Sequence, residues 1–593
     1  MSALAVLLAA ANLAVAQTEV ADAAMRRNDA ELRRLVQSGA DVNLRQTDGA
    51  TALHWAAYYG DAGMALLLLE AGADASAANR EGSTPMWLAA SQGNAAMISA
   101  LLEGGADANE QLPLGRRPLM LAARSGHVDA VRALLDHRAE VNAKEDARGT
   151  TALMQAADQG HADVIALLIE RGADVAAKSA PVLRDGRTAA LGKSEDPRES
   201  VRRQIIAILC DQKSPDLSKL EELIRENGED AVLANAVGQS AGANPCNVKR
   251  DGLGFVLAGP GRNRGAREAD GGEITPLVYA ARTGSIESAR VLLAAGAAVN
   301  QTTRYGWSPL LAATQNRNYE LAKFLIEHGA DVNLANKGGW TPLYLATDNR
   351  NIEGGDYPTP TPDMDHLEYI KLLLDAGADP NARMTESTET RTVFTNQWLD
   401  EAGATAFLRA SQSGDVELMR LLLERGADPH IYTQLGVTPL AVAAGIGWVE
   451  GVTREWSTEQ TAEAVKMLLG LGIDPNHQAE TGRVALHGAA HKGATEVVRL
   501  LVAAGARMDV RDFGNTDNRG SPELAAHTWL PIDYADGLVR VGVQSAIPHP
   551  ETANVLRKLM QDAGLKFPPE GRTLESICIV EVCSPDYNPI DYN

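Results

Sequence analysis

Apolar positions in this chain come in short bursts separated by polar turns. In Asp48 to Arg80, DGATALHWAAYYGDAGMALLLLEAGADASAANR, Leu53, Ala56 and Ala57 are spaced as one face of a short helix that a turn at Gly60 ends. A second apolar run, Met64 to Ala71, predicts a second helix, and Gly72 suits the left-handed position past its end. Ahead of the first helix, Asp48-Gly49 is a turn pair for a hairpin tip, and Thr51 stands where an N-cap hydroxyl is needed. In sister stretches Pro85, Pro276, Pro309, Pro342 and Pro439 follow the Ser or Thr, at the first helical position, where a missing N–H costs nothing. The unit reads hairpin, helix, helix.

This unit recurs at a fixed distance. A small residue, Gly-Ala-Asp, a few polar residues and Thr-Pro-Leu or Thr-Ala-Leu form its phrase. The phrase glycine falls at Gly39, Gly72 and Gly105, is replaced by Arg138, and returns at Gly172, in steps of 33, 33, 33 and 34. It resumes at Gly296, Gly329, Gly377, Gly426, Gly472 and Gly505, in steps of 33, 48, 49, 46 and 33. A unit this small cannot bury both helix faces alone, so it must stack on neighbours. Ala56, Ala57, Ala89, Ala90, Ala122 and Ala123 keep the first helices thin, and Leu67, Leu68, Leu134, Leu135, Leu167 and Leu168 supply an apolar seam. Arg138 in the glycine position predicts a locally weaker fourth unit.

The strings GATALHWAA, TPLVYAARTG, GWSPLLAA, GGWTPLYLA and VALHGAAHKG resemble ankyrin repeats, over about seven-tenths of the chain. The resemblance implies an all-α repeat solenoid, an ankyrin-repeat stack of about 11 to 12 units. Such a stack binds other proteins across a concave face of hairpins and inner helices. It implies no catalytic activity, because the motif carries structural residues only. Five units span 19–179 and six span 273–511; a degenerate capping unit follows over 512–566 and a tail over 567–593. The first unit lacks the hairpin and the Thr-Pro-Leu entry, as the end of a solenoid facing water does.

Insertions in repeat arrays map to loops that often bind. The largest, 180–272, is expected to hold two helices and a Gly-rich segment and to separate two repeat blocks as a hinge or second binding element, or to be a tolerated insertion on the edge of the stack. Gly186 to Ser194 resembles a phosphate loop, but five residues separate its glycines where the motif has four, and no strand precedes it. Gly259 to Gly265 lacks the strand–helix context of a dinucleotide site. Smaller insertions at Asn351 to Asp365, Gly447 to Glu459 and Gly537 to Pro550 fall between the two helices of alternate units and should project from one edge. Arg383 to Glu401 and Phe513 to Trp529 lengthen hairpins.

These loops carry Tyr357, Trp398, Trp448, Trp456 and Trp529, ring types typical of interface anchors; the alternative is that each ring covers its own loop. Trp55, Tyr58 and Tyr59 lie on an inner helix. Trp307 and Trp340 hold the variable position before Ser308-Pro309 and Thr341-Pro342, which in ankyrin stacks faces the groove, and Tyr305 is counted with them. All eleven rings are candidate partner-binding residues, with packing between hairpins as the alternative.

Charge and chemistry narrow the reading. Lys plus Arg total 55 against 77 Asp plus Glu, a formal charge of −22, which repels phosphate backbones and argues against nucleic acid. Met1 to Ala16 has no charged side chain, an apolar run at Ala3 to Ala11, and Ala14-Val15-Ala16 as a small-x-small cleavage site. It reads as a signal peptide over 1–16, with an Ala-rich capping helix as the alternative. No other apolar stretch approaches a membrane span. Cys578 and Cys583 are spaced to close a small ring; Cys210 and Cys246 fall in the long insertion, where a staple helps most, although Cys210 also fits a buried thiol. His487 and His491 stand one helical turn apart with no third zinc ligand placed, so no metal and no cofactor are expected. The expectation is a monomeric, exported, bacterial-type ankyrin protein, periplasmic or secreted, that binds an unidentified protein partner. An enzyme hidden in 180–272, an effector delivered into another cell and a cytoplasmic location are the alternatives.

Overall fold

The computed structural model describes residues 19–182, 271–351, 360–385, 399–450, 453–514, 528–541 and 547–572. The predicted hairpin and helix pair build it throughout. In the first five repeats the inner and outer helices are Glu19–Met25 and Asp29–Gln37, Ala52–Tyr59 and Ala62–Glu70, Pro85–Gln92 and Ala95–Glu103, Pro118–Ser125 and Val128–Asp136, and Ala152–Gln159 and Ala162–Glu170. Repeats six to eight are Pro276–Thr283 and Ile286–Ala294, Pro309–Gln315 and Tyr319–Glu327, and Pro342–Arg350 and His366–Asp375. Repeats nine to twelve are Ala406–Ser413 and Val416–Glu424, Pro439–Ala444 and Thr458–Gly470, Ala485–Lys492 and Thr495–Ala503, and Pro531–Ala535 and Pro550–Asp562. The described residues fall into two compact units: the first five repeats, apart from 157–162, up to Pro276, and the remainder from Leu277 onward.

Local chemistry starts each inner helix. Thr84, Ser308, Thr341 and Thr438 accept the N–H of the residue three positions on, at 3.0–3.2 Å, with proline at the next position. Thinness then allows stacking. Ala56, Ala57, Ala89 and Ala90 have no exposed surface, nor do Leu68, Leu101, Leu134 and Leu168 on the outer helices. Truncating one such leucine to alanine costs about 2–5 kcal/mol.

A polar ladder ties successive repeats along the opposite rim. The side chain of Asn43 donates to Gly72 O at 2.9 Å and accepts from Asp74 N at 2.7 Å. Asn142, Asn300 and Asn476 make the same pair of bonds one repeat on. Asn333 reaches Gly377 and Asp379, and Asn381 reaches Gly426 and Asp428, across the stretched steps. The insertions therefore leave the stacking register untouched.

Backbone bonds explain where the long insertions leave. Ordinary hairpins close with one stem bond, such as Gln46 N to Ala50 O at 2.8 Å or Asn79 N to Ser83 O at 2.9 Å. Ser179 N to Ile274 O, Met384 N to Ala404 O and Asp512 N to Trp529 O are the same bond with an insertion beyond it. Residues 181–182 pair antiparallel with 271–272, so the segment read as a spacer between blocks departs from and returns to a single hairpin. The two helices expected in it, its phosphate-loop and Gly-rich strings and Cys210 and Cys246 lie outside the described residues, as do the 1–16 segment, Cys578 and Cys583. Arg138 takes the left-handed conformation of the glycine it replaces, at φ 66°.

Candidate protein-binding surface

The face formed by hairpins and inner helices is open in the first unit. At the end of the second repeat's inner helix, Trp55, Tyr58 and Tyr59 form one aromatic cluster, with ring centroids 5.2–6.1 Å apart. Trp55 donates its indole N–H to Gln46 Oε1 at 2.7 Å, Tyr59 donates its hydroxyl to Met25 O at 2.7 Å, and the Arg27 guanidinium lies 5.2 Å above the Tyr59 ring. Two rings are thereby fixed at their polar ends, while Tyr58 stays 56% exposed. In the next inner helices Ser91, Gln92, Arg124 and Gln159 are exposed at the corresponding turn. A rigid, amphipathic and wet surface of this kind loses little entropy on docking.

Packing, rather than a partner, occupies three rings singled out from the sequence. Trp529 is fully buried, Trp340 is 4% exposed and Tyr305 is 8% exposed. Trp529 is the second stem residue of its hairpin, in the place of Trp307 and Trp340, because Leu530-Pro531 stands where Ser308-Pro309 stands in the seventh repeat. Its N–H donates to Asp512 Oδ1 at 2.8 Å, and its carbonyl meets His487 Nε2 at 3.2 Å. Trp340 packs edge-on against Tyr344, centroids 5.1 Å apart. Trp307 and Trp448 are half-buried. Tyr357 and Trp398 lie outside the described residues.

From the eighth repeat onward the equivalent helix face is filled. All eight residues of Ala406–Ser413 are buried, as is every residue of Pro439–Ala444. Beneath the cover runs a polar network. Arg409 Nε donates to Asp348 Oδ1 at 2.9 Å and its guanidinium also reaches Ser413 Oγ at 3.0 Å and Asn351 O at 2.6 Å. Arg350 donates to Asp415 at 2.7 and 3.3 Å and to Glu417 at 2.9 Å. Trp456, in the tenth repeat's inter-helix insertion, donates its indole N–H to Asn351 Oδ1 at 2.9 Å, where the eighth repeat's insertion begins. Arg350 and Arg454 lie 4.6 and 5.0 Å from its ring centroid. The two insertions meet on one edge, and Trp456, 36% exposed, is the clasp between them.

This network escaped sequence reading. Its signal is the polar run Thr347-Asp348-Asn349-Arg350, in which Asp348 and Asn349, like Arg409 and Gln412, stand at helix positions where the second repeat has Trp or Tyr. Burial also sets the chemistry of the histidines. His54 Nδ1 accepts from Thr51 N at 3.1 Å while Nε2 meets Ser83 O at 3.0 Å. His487 repeats this with Val484 N, at 3.0 Å, and Trp529 O. Accepting at Nδ1 and facing a carbonyl at Nε2 requires the neutral Nε2–H form. Burial pushes the His487 imidazole down to about 4. The zinc arrangement with His491 is replaced by this hairpin latch, and no group of three or more metal-binding side chains occurs among the described residues. Burial, then the nearby Arg317, likewise lowers His366 to about 4. Among the described residues no helix is long and apolar enough to cross a membrane.

Comparison with known proteins agrees with this geometry. The family profile described as ankyrin repeats in three copies matches residues 20–111, 89–179, 255–336 and 277–384, and that of the single ankyrin repeat matches 402–434 and 481–513. The mouse cyclin-dependent kinase 4 inhibitor B is 37% identical over 128 residues, 21% of this chain and 78% of that protein. The bovine ankyrin repeat and SOCS box protein 3 is 34% identical over 99 residues, 13% of this chain and 18% of that protein. The E3 ubiquitin-protein ligase KEG of Arabidopsis thaliana is 27% identical over 184 residues, 30% of this chain, which thus spans 10% of that relative's length. With its repeat phrase, capped helix pairs and hairpin latches matched across more than half its length, the chain belongs to the ankyrin-repeat family.

Proposed function

We propose that this chain is a non-catalytic protein-interaction module that docks a partner protein on the open hairpin and inner-helix face of its first five repeats. The observation that carries this reading is the Trp55–Tyr58–Tyr59 cluster, fixed by two hydrogen bonds yet presenting Tyr58 to solvent. The filled face of the eighth to tenth repeats favours the first five repeats over those three. A relative named as an inhibitor of a cyclin-dependent kinase matches over most of its own length, in keeping with repeats that act on another protein. The ligase shares a tenth of its length and lends no support to ligase chemistry here.

A photo-crosslinking residue at position 58, installed in the native host, tests the reading. Protein adducts should form there and not from the same residue at Glu103, on an outer helix; equal labelling from both positions refutes the docking face. Export is part of the same proposal, resting on Ala14-Val15-Ala16 after an apolar run. N-terminal sequencing of the mature protein should begin at Gln17, and an intact Met1 in the cytoplasmic fraction would overturn it.

A further inference from the structure

Charge in the first unit is sorted by face. From the second repeat to the fifth, the outer helices and the turns that follow them are dominated by carboxylates, Asp61, Glu70, Asp74, Glu103 and Asp107 among them, with only Arg132, Arg138 and Arg171 in opposition. The hairpins and inner helices instead expose Arg45, Arg80, Arg116, Arg124, Lys144 and Arg148. Exposed acids on that side are fewer, Asp48, Glu81 and Asp146 against those six basic residues, and others are turned inward or bonded. Glu145 is buried, and its carboxylate accepts from Ala147 N, Arg148 N, Thr150 N and the Thr150 hydroxyl at 2.6–3.0 Å. Glu110 accepts the Thr84 hydroxyl, and burial raises its pKa. The Asp48 carboxylate accepts Ala50 N at 2.9 Å. A chain of net charge −22 therefore carries a cationic hairpin row.

The row is continuous with the aromatic cluster. Gln46, which takes the Trp55 indole N–H, adjoins Arg45 in the hairpin stem, and Arg27 lies over Tyr59. Arg45 and Lys144 each donate to a backbone carbonyl of the next hairpin, Ala78 O and Lys178 O, both at 2.8 Å. Among the described residues nothing pairs with the guanidinium groups of Arg80, Arg116 or Arg148. Unpaired guanidinium forks at successive hairpins match carboxylates, to which they can donate two parallel bonds.

Resting on the docking reading above, we infer that the partner presents an acidic segment of protein, whose Asp and Glu side chains lie along the hairpin row while an apolar or aromatic side chain meets Tyr58. A nucleic acid would bring phosphates to the same forks, but as a long polyanion it is repelled by the acidic outer helices and by the net charge, whereas a short acidic segment confined to the row is not.

Selection of random displayed peptides on the full-length protein tests this. The enriched pool should be more acidic than the input, and a selected peptide should lose about tenfold in affinity to R80E/R148E, with the loss shrinking as salt rises. The outer-helix variant R132E should bind it unchanged. All the altered side chains are exposed, so unchanged thermal melts will show that folding is intact. An enriched pool that is neutral or basic, yet loses binding in Y58A, overturns the charge inference and leaves the docking face standing. Failure to enrich any peptide sensitive to Y58A overturns both. Binding of an oligothymidine probe with the same R80E/R148E sensitivity as the peptide overturns the choice of a protein segment.

Discussion

Arg350 is the residue whose removal most directly tests how the later repeats close. Its side chain is 8% exposed and that of Asp415 2% exposed, so the pair is desolvated while bonded at 2.7 Å. Asp415 is also the N-cap of the ninth repeat's outer helix, accepting Leu418 N at 3.2 Å. Arg350→Met leaves that carboxylate buried without a cation, held only by the Asn351 amide and the Leu418 N–H, which should cost about 3–5 kcal/mol. Arg350→Met with Asp415→Asn removes the stranded charge and keeps a good cap, so the cost should fall to about 1–2 kcal/mol for the lost charged hydrogen bonds and ring contact. Because a repeat array need not unfold in one step, the assay is native-state hydrogen exchange of Val416–Glu424. In the single variant these amides should exchange faster by about two to three powers of ten, and the double variant should recover most of that protection. If the double variant exchanges as fast as the single one, or its cost is the sum of the two single costs, the buried pair is not what holds the clasp.

Four further outcomes follow from the geometry. His487 is neutral in the fold and falls to about 4, against roughly 6.5 unfolded, so the unfolded chain binds the extra proton between those values. Protection of the eleventh repeat should therefore rise with pH through that window, by on the order of 3 kcal/mol, and level off above it; His487→Gln should flatten the profile. Arg138→Gly should stabilise the fourth repeat by about 1 kcal/mol in urea melts, since only the φ of 66° at that site opposes an L side chain. Tyr58→Ala should leave the melting temperature unchanged while removing partner crosslinks, as a 56% exposed ring allows. Limited proteolysis should cut first within 183–270, and first cleavage inside the capped, packed helices of the second repeat would contradict this.

Much of the fold was legible because each unit settles its own structure locally. Thr-Pro starts a helix, Gly-Ala-Asp ends one and seeds the asparagine ladder, and paired alanines allow close stacking, all within one period. Arg138 shows how far this local logic reaches, since the chain follows the glycine path even with an arginine in place. The candidate surface was only partly legible. Trp55, Tyr58 and Tyr59 were placed by the helix pattern, but Trp529 was misread as a loop ring because a 17-residue separation from Asp512 hides that it closes an ordinary stem.

Sequence alone, then, determined an ankyrin stack of capped helix pairs, because caps, turns and small residues act over a few positions. Tertiary structure decided which part of the groove is open. Arg409 and Asp348 are 61 residues apart, and Trp456 and Asn351 are 105 apart. Nothing local signals such partners, since only stacking brings them into reach, of the ninth repeat on the eighth for the first pair and through the ninth repeat for the second.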